Sequence, residues 1–149
     1  MARKYFERRS FRNELSTYLT SKGWTDVTYK EGFQGDTTIS IPTVAIHFLP
    51  GSNKAFQLGS TGERLFKRVI QVDAYMESEP RADSISDDIM DFIDYTPVSI
   101  IDNTSAVLGS LICQDSESIY GETLKPILTD PKLLRWRGVV RATLEAHYF

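Results

Sequence analysis

Side chains that could perform catalysis or bind a metal are few and widely separated in this sequence. Histidine occurs only at His47 and His147 and cysteine only at Cys113, so the closely spaced Cys and His ligands of a zinc site are absent. Neither a Gly-x-Ser-x-Gly elbow nor the spacing of a Ser/His/Asp triad occurs. His47 falls inside a predicted strand, where a structural histidine is a better interpretation than a metal ligand. The residues nominate no catalytic group, metal ligand or cofactor site, and we predict that the chain is not an enzyme.

A glycine-rich segment, Gly59-Ser60-Thr61-Gly62, is the nearest approach to a phosphate-binding loop. A P-loop ends in Gly-Lys-Ser/Thr and opens a helix, because the lysine and the helix N-terminus hold the phosphates. This segment has no lysine, and the residues after it predict a strand. We interpret it as an ordinary loop rather than a nucleotide site.

Charge is distributed very unevenly, although the net charge is only −3. The blocks are a basic N-terminus (Arg3, Lys4, Arg8, Arg9, Arg12), an acidic middle (Glu77, Glu79, Asp83, Asp87, Asp88, Asp91, Asp94) and a basic C-terminal region (Lys132, Arg135, Arg137, Arg141). Opposite blocks on one small domain can steer self-association or orient partners. The alternative is that the acidic block is only the solvated face of a helix. An isoelectric point near 5.4 argues against a duplex-DNA reader, since such domains are strongly basic.

The clearest structural pattern is a strand that leads into a helix. The alternating residues between positions 70 and 76 predict a strand with one buried face. The predicted buried face carries Ile70, Val72, Ala74 and Met76, and the opposite face carries Gln71, Asp73 and Tyr75. Pro80 is expected to close the strand. An amphipathic helix is then predicted over Ala82–Tyr95, whose apolar stripe is Ile85, Ile89, Phe92 and Ile93.

The N-terminal part predicts one helix and two strands. The helix is expected over Phe6–Lys22 with Gly23 as its terminating residue, and residues 1–5 are predicted to be a flexible basic N-terminus. Strands are expected over Val27–Glu31 and Thr38–Leu49. Because proline cannot donate to a ladder, the second strand either starts as an edge or begins after its proline.

Residues 50–63 predict a protruding loop or hairpin arm, because turn residues flank a short apolar segment. Phe56 and Leu58 would form the apolar tip of this arm. An exposed apolar tip usually marks an interface. The alternative is that the tip folds back onto its own domain.

The C-terminal part predicts three strands separated by turns and a polar segment. The first two strands are expected over Val98–Ile101 and Ala106–Cys113, with a buried thiol at the end of the second, and residues 116–131 are expected to be irregular. From Leu134 to Phe149 apolar residues alternate with mostly polar, basic ones, which predicts a long strand with one buried face. A helical period would scatter these residues around the axis, so a strand is favoured.

Length and composition predict a single domain over residues 1–149. The apolar content of 41% and the charged content of 25% are ordinary for a globular protein. No apolar run is long enough for a transmembrane helix, and no apolar region of a signal peptide follows the basic N-terminus. We therefore expect synthesis in a reducing cytoplasm.

The order of these elements resembles the tail terminator proteins of long-tailed bacteriophages. The resemblance rests on the strand Phe66-Lys67-Arg68-Val69-Ile70-Gln71-Val72-Asp73-Ala74-Tyr75, the helix after it, and the terminal strand Trp136-Arg137-Gly138-Val139-Val140-Arg141-Ala142-Thr143-Leu144. It implies a single α+β domain in which helices flank a mixed, mostly antiparallel β-sheet, as in tail terminator and tail tube subunits.

The resemblance also implies a structural role in the virion without a cofactor. Members of the family form a ring, typically a hexamer, that caps the tail tube, ends its polymerisation and joins the tail to the head-side connector. DNA passes through the lumen of the ring, and assembly takes place in the bacterial cytoplasm. A closed ring needs a heterologous interface. The candidate residues for contacts with neighbouring subunits or the tube are Arg8, Arg9, Arg12, Phe56, Leu58, Asp87, Asp91, Arg135 and Arg137.

Two kinds of alternative stay open. The chain could be another neck or tail-completion protein or a tube subunit, which would polymerise into long stacks. It could also be a small cytosolic ligand-binding domain or enzyme, which would be a monomer or dimer with a deep pocket.

Overall fold

Within the residues that the structure describes, two helices pack against one face of an eight-stranded β-sheet. The structure is a computed structural model that describes residues 2–31, 41–49, 55–58, 63–113, 119–125 and 136–149, with the backbone alone at 55–58, 63 and 64. The elements are α1 (Arg3–Ser21), β1 (Thr28–Glu31), β2 (Thr43–Leu49), β3 (Ala55–Leu58), β4 (Glu63–Met76), α2 (Glu79–Tyr95), β5 (Val98–Ile101), β6 (Val107–Ile112), β7 (Tyr120–Leu124) and β8 (Trp136–Tyr148). No helix of the described segments is long and apolar enough to cross a bilayer.

The sheet is organised around the two longest strands, β4 and β8, which pair antiparallel along almost their whole length. One edge of β4 pairs with β2 and, further along, with β3. One edge of β8 pairs with β6 near its end and with β7 near its start. Only β1 and β2 are parallel among the pairs of described strands. The predicted α+β domain with a mixed, mostly antiparallel sheet is therefore confirmed.

The core lies between the two helices and one face of this sheet. The alternating residues of β4 that were predicted to be buried are buried, as is the apolar stripe of α2. On β8 the predicted face is buried from Gly138 to Tyr148, whereas Trp136 is half-buried and Leu134 lies outside the described residues. Helix α1 contributes Phe11, Leu15 and Leu19 to the same cluster. Burying a large apolar side chain stabilises a fold by about 1.5–3 kcal/mol. The apolar residues that recur with a period of 2.0 in the strands and 3.6 in the helices therefore pack together in one layer.

Helix α1 ends as the sequence predicts but begins earlier. Gly23 has φ of +95°, and two backbone bonds, from Gly23 N to Thr20 O and from Trp24 N to Leu19 O, close a Schellman motif. Its first residue is Arg3, so the predicted basic extension over residues 1–5 overlaps the first helical turn. A helix with basic residues in its first turn lacks the favourable dipole interaction of an acid there.

Three other predictions need correction, and one choice between alternatives is settled. Residues 116–131 were expected to be irregular, yet 120–124 form β7 on the edge of β8. Pro80 does not simply close β4, because it lies in the first turn of α2, where its missing N–H needs no partner. Cys113, expected to be buried, is half-buried. Strand β2 begins after Pro42, which agrees with one of the two predicted alternatives.

The expected arm is described only in part. Strand β3 pairs antiparallel with the start of β4, which agrees with a hairpin extension. The turn residues of the arm, and the side chains of Phe56 and Leu58, lie outside the described residues. Exposure of an apolar tip therefore stays a prediction.

Candidate subunit interface

The basic residues of helix α1 hold the two edges of the sheet. Arg9 donates to Asn103 Oδ1 at 2.6 Å and to the backbone oxygen of Ile101, on edge strand β5, at 3.0 Å. Arg12 pairs with Glu31 of β1, the opposite edge of the sheet order, at 3.3 Å. Because edge strands invite pairing with other chains, a side chain that binds a backbone oxygen of an edge strand, as Arg9 does at Ile101, restricts such pairing. Arg9 and Arg12 therefore serve the fold of their own chain, whether or not they also meet a neighbour.

Arg8 differs from these two arginines. It is half-buried, and its Nε is buried without a hydrogen-bond partner. It makes no ion pair with any residue in the described part of the chain. A guanidinium has five donors, so Arg8 retains unused capacity to bind an acceptor.

The acidic face of α2 also divides into engaged and unengaged residues. Asp88 accepts a 2.8 Å hydrogen bond from Trp24 Nε1, which ties α2 to the end of α1. Asp87 and Asp91 are exposed, and neither forms an ion pair with a base among the described residues. The two carboxylates nominated from the sequence are thus free to meet a cation from another molecule.

A polar network covers part of the sheet face that the helices leave open. Arg141 donates to Gln71 at 2.6 Å, Gln71 donates to Asp73 at 3.0 Å, and Arg137 forms an ion pair with Asp73 at 3.1 Å. The sequence predicted one buried face for β4, but Gln71, Asp73 and Tyr75 of the second face are also buried. The network explains how Gln71 and Asp73 tolerate this burial, since both form hydrogen bonds within it. Arg137 is consequently engaged with its own chain.

A second network, which was not predicted from the sequence, is buried beneath the start of α1. Glu7 is 0% exposed and accepts two hydrogen bonds from Arg68 of β4, at 2.6 Å from Nε and 3.2 Å from Nη2. Its carboxylate also accepts a short hydrogen bond from the Tyr148 hydroxyl. The guanidiniums of Arg3 and Arg68 lie over the Phe66 ring at 5.4 and 4.9 Å. We refer to Glu7, Arg68 and Tyr148 as the buried clamp, because it joins α1 to β4 and β8.

Burial, followed by the hydrogen bond to Glu7, raises the pKa of the Tyr148 hydroxyl far above its usual value of 10.0. Since the folded-state pKa of Tyr148 exceeds the unfolded-state pKa, this group stabilises the fold fully below about pH 10, and its contribution falls as the pH rises beyond that.

We expect Tyr148→Phe to lower the free energy of unfolding at neutral pH by about 1.5–3 kcal/mol, the value of a hydrogen bond to a charged group. Urea unfolding from neutral pH to about pH 11 should show a smaller alkaline loss in the variant than in the wild type. Equal alkaline losses would contradict this assignment.

The described surface includes two grooves beside the helices. One, of about 320 Å³, lies between α1 and the turn that joins β5 to β6, and it is lined by Arg9, Ser10, Asn13, Glu14, Ser99, Ile101, Asp102, Asn103 and Ser105. The other, of about 270 Å³, lies between α2 and β7, and it is lined by Asp83, Ser86, Asp87, Met90, Gly121, Glu122 and Thr123. The second groove, called the acidic groove below, contains three carboxylates and includes one of the residues nominated from the sequence.

The described surface also carries exposed apolar residues. Large exposed apolar residues of the described segments include Tyr5, Tyr95, Val107, Tyr120 and Phe149.

Arg135, the last of the residues nominated from the sequence for the interface, lies outside the described residues. Within those residues, no three His, Cys, Asp or Glu side chains are placed to hold a metal ion together.

No protein-family model matches the chain, and no curated protein matches it. It is similar to a solved structure of a protein whose name states no function. That similarity has a TM-score of 0.56 at 10% sequence identity and covers 100% of this chain and 99% of the other. At such identity the likeness concerns the fold alone, an α+β domain of the same extent.

Proposed function

We propose that the protein is a structural component of a long-tailed bacteriophage that forms a closed ring, typically of six subunits in proteins that it resembles, on the end of the tail tube. In this role it ends tube polymerisation and joins the tail to the head-side connector, with DNA passing through the lumen. Its location is then the virion, after assembly in the host cytoplasm. The α+β domain agrees with the fold that the resemblance implies.

One observation carries the proposal: unpaired charges of opposite sign lie on different elements. Asp87 and Asp91 on α2 and Arg8 on α1 have no ion-pair partner among the described residues. A ring needs two different, complementary patches on each subunit, because every copy meets one neighbour with each patch. Unengaged opposite charges on separate helices provide such patches.

The test is mass photometry and negative-stain microscopy of the purified protein, with and without isolated tail tubes. We expect rings of uniform size in solution and caps at one end of the tubes. Long stacks would instead identify a tube subunit, and a monomer that ignores tubes would overturn the proposal in favour of a ligand-binding domain. The groove between α1 and the β5–β6 turn would then become the first place to search for a ligand.

A further inference from the structure

We propose that the acidic groove is the socket for a basic side chain of a second copy of this chain, with Arg8 as the inserted residue. This inference rests on the proposed ring and names the contact that closes it. The groove is built from one wall on α2 and one on β7. Its carboxylates are Asp83 and Asp87 on the helix and Glu122 on the strand.

The shape and lining of the groove suit a long cationic side chain. Met90 and Gly121 provide an apolar surface against which a methylene stem can pack, while three carboxylates can receive the charged head. Both Asp83 and Glu122 already accept hydrogen bonds from their own chain, from Thr123 and Tyr120 respectively. Asp87 is therefore the carboxylate with the most unused acceptor capacity.

A buried hydroxyl in the same groove also lacks a partner. Ser86 is 4% exposed, and its Oγ has no hydrogen-bond partner within the described residues. This oxygen lies over Gly138, the β8 residue that pairs with Thr123 of the groove wall. Because a buried polar group without a partner is costly, an unsatisfied hydroxyl in a groove indicates that another group completes the site.

A second copy of this chain is favoured as the source of the cation by where Arg8 lies. Arg8 is one helical turn from Arg12, which binds β1, whereas the acidic groove adjoins β7. Strands β2, β4 and β8 separate β1 from β7 in the sheet order. One subunit can therefore present its arginine to one neighbour and its groove to another, which is the arrangement of a closing heterologous interface.

A charge exchange tests the pairing. We expect Asp87→Arg and Arg8→Glu each to raise the concentration at which the ring dissociates, measured by mass photometry, by about tenfold or more. The double variant Asp87→Arg/Arg8→Glu restores opposite charges at every interface and should return this concentration to within about threefold of wild type. Glu14→Arg, the same charge change at an exposed position of α1 outside the groove, serves as the matched control and should assemble normally.

The outcomes separate this inference from the proposed function. If the wild type forms rings and Asp87→Arg rings are equally stable, the groove is not the socket, although the ring stands. If Asp87→Arg weakens the ring but Arg8→Glu does not, or if the double variant fails to recover, Arg8 is not the inserted residue. If the wild type forms no ring at any concentration, the proposed function fails and this inference fails with it.

Discussion

Glu7→Ala will lower the free energy of unfolding by about 3–5 kcal/mol, the cost of removing one partner from a buried ion pair. The reason lies in the buried clamp. Arg68 is 6% exposed, and its guanidinium donates two hydrogen bonds to the Glu7 carboxylate. Without Glu7, a desolvated guanidinium loses its counter-charge, and the Tyr148 hydroxyl loses its acceptor. Urea unfolding at neutral pH, monitored by far-UV circular dichroism, measures this loss of stability.

Two comparisons make this prediction specific. Glu14→Ala removes an exposed carboxylate from the same helix and should change stability by less than about 0.5 kcal/mol. The double variant Glu7→Leu/Arg68→Met replaces both charges with apolar groups, so it should be much more stable than Glu7→Ala. If Glu7→Ala were as stable as Glu14→Ala, the clamp would not anchor α1.

The buried clamp was not predicted, although the sequence contains a signal for it. Glu7 stands four residues before Phe11 on the buried stripe of α1, and Arg68 stands two residues before Ile70 on the buried face of β4. An acid and a base on two core faces, in elements expected to pack together, indicate a buried ion pair. The signal is obscured because Glu7 stands among the basic residues of the N-terminus and Arg68 follows another base, Lys67.

Alternation predicted which residues of β4 face the helices, but not how the other face is buried. The alternation predicted that Gln71 and Asp73 lie on the surface. Local sequence cannot show that Arg137 and Arg141 of β8 form hydrogen bonds and an ion pair with them. Their partners lie more than sixty positions away, as Arg137 to Asp73 illustrates with a separation of 64. Long-range registers of this kind are fixed by strand pairing, which periodicity does not determine.

Of the candidate interface, the exposed acids of α2 could be predicted from local sequence, but the acidic groove could not. Helical spacing correctly placed Asp87 and Asp91 on the exposed face of α2, since one element decides this property. The acidic groove could not be predicted, because its second wall is β7, a strand that the polar residues 120–124 concealed. Edge strands with exposed polar side chains lack the apolar alternation by which strands are found.

Gly109→Ala is the second substitution for which we expect a large loss of stability, of about 3 kcal/mol or more, because overpacking against backbone cannot relax by a side-chain rotation. A Cβ at this position would stand 2.0 Å from the backbone oxygen of His147 and 2.9 Å from Tyr148 Cα, so β6 and β8 would have to separate where they pair.

Gly121→Ala is the matched control on β7. Its Cβ would meet the Met90 sulfur at 2.6 Å, and the flexible Met90 side chain can move away. We expect Gly138→Ala to fall between them, since its Cβ would meet the Ser86 hydroxyl at 2.1 Å but the backbone of α2 only at 3.0 Å. Thermal and urea unfolding of the three variants should rank them in this order, and a Gly109 variant as stable as the Gly121 variant would contradict the close approach of β6 to β8.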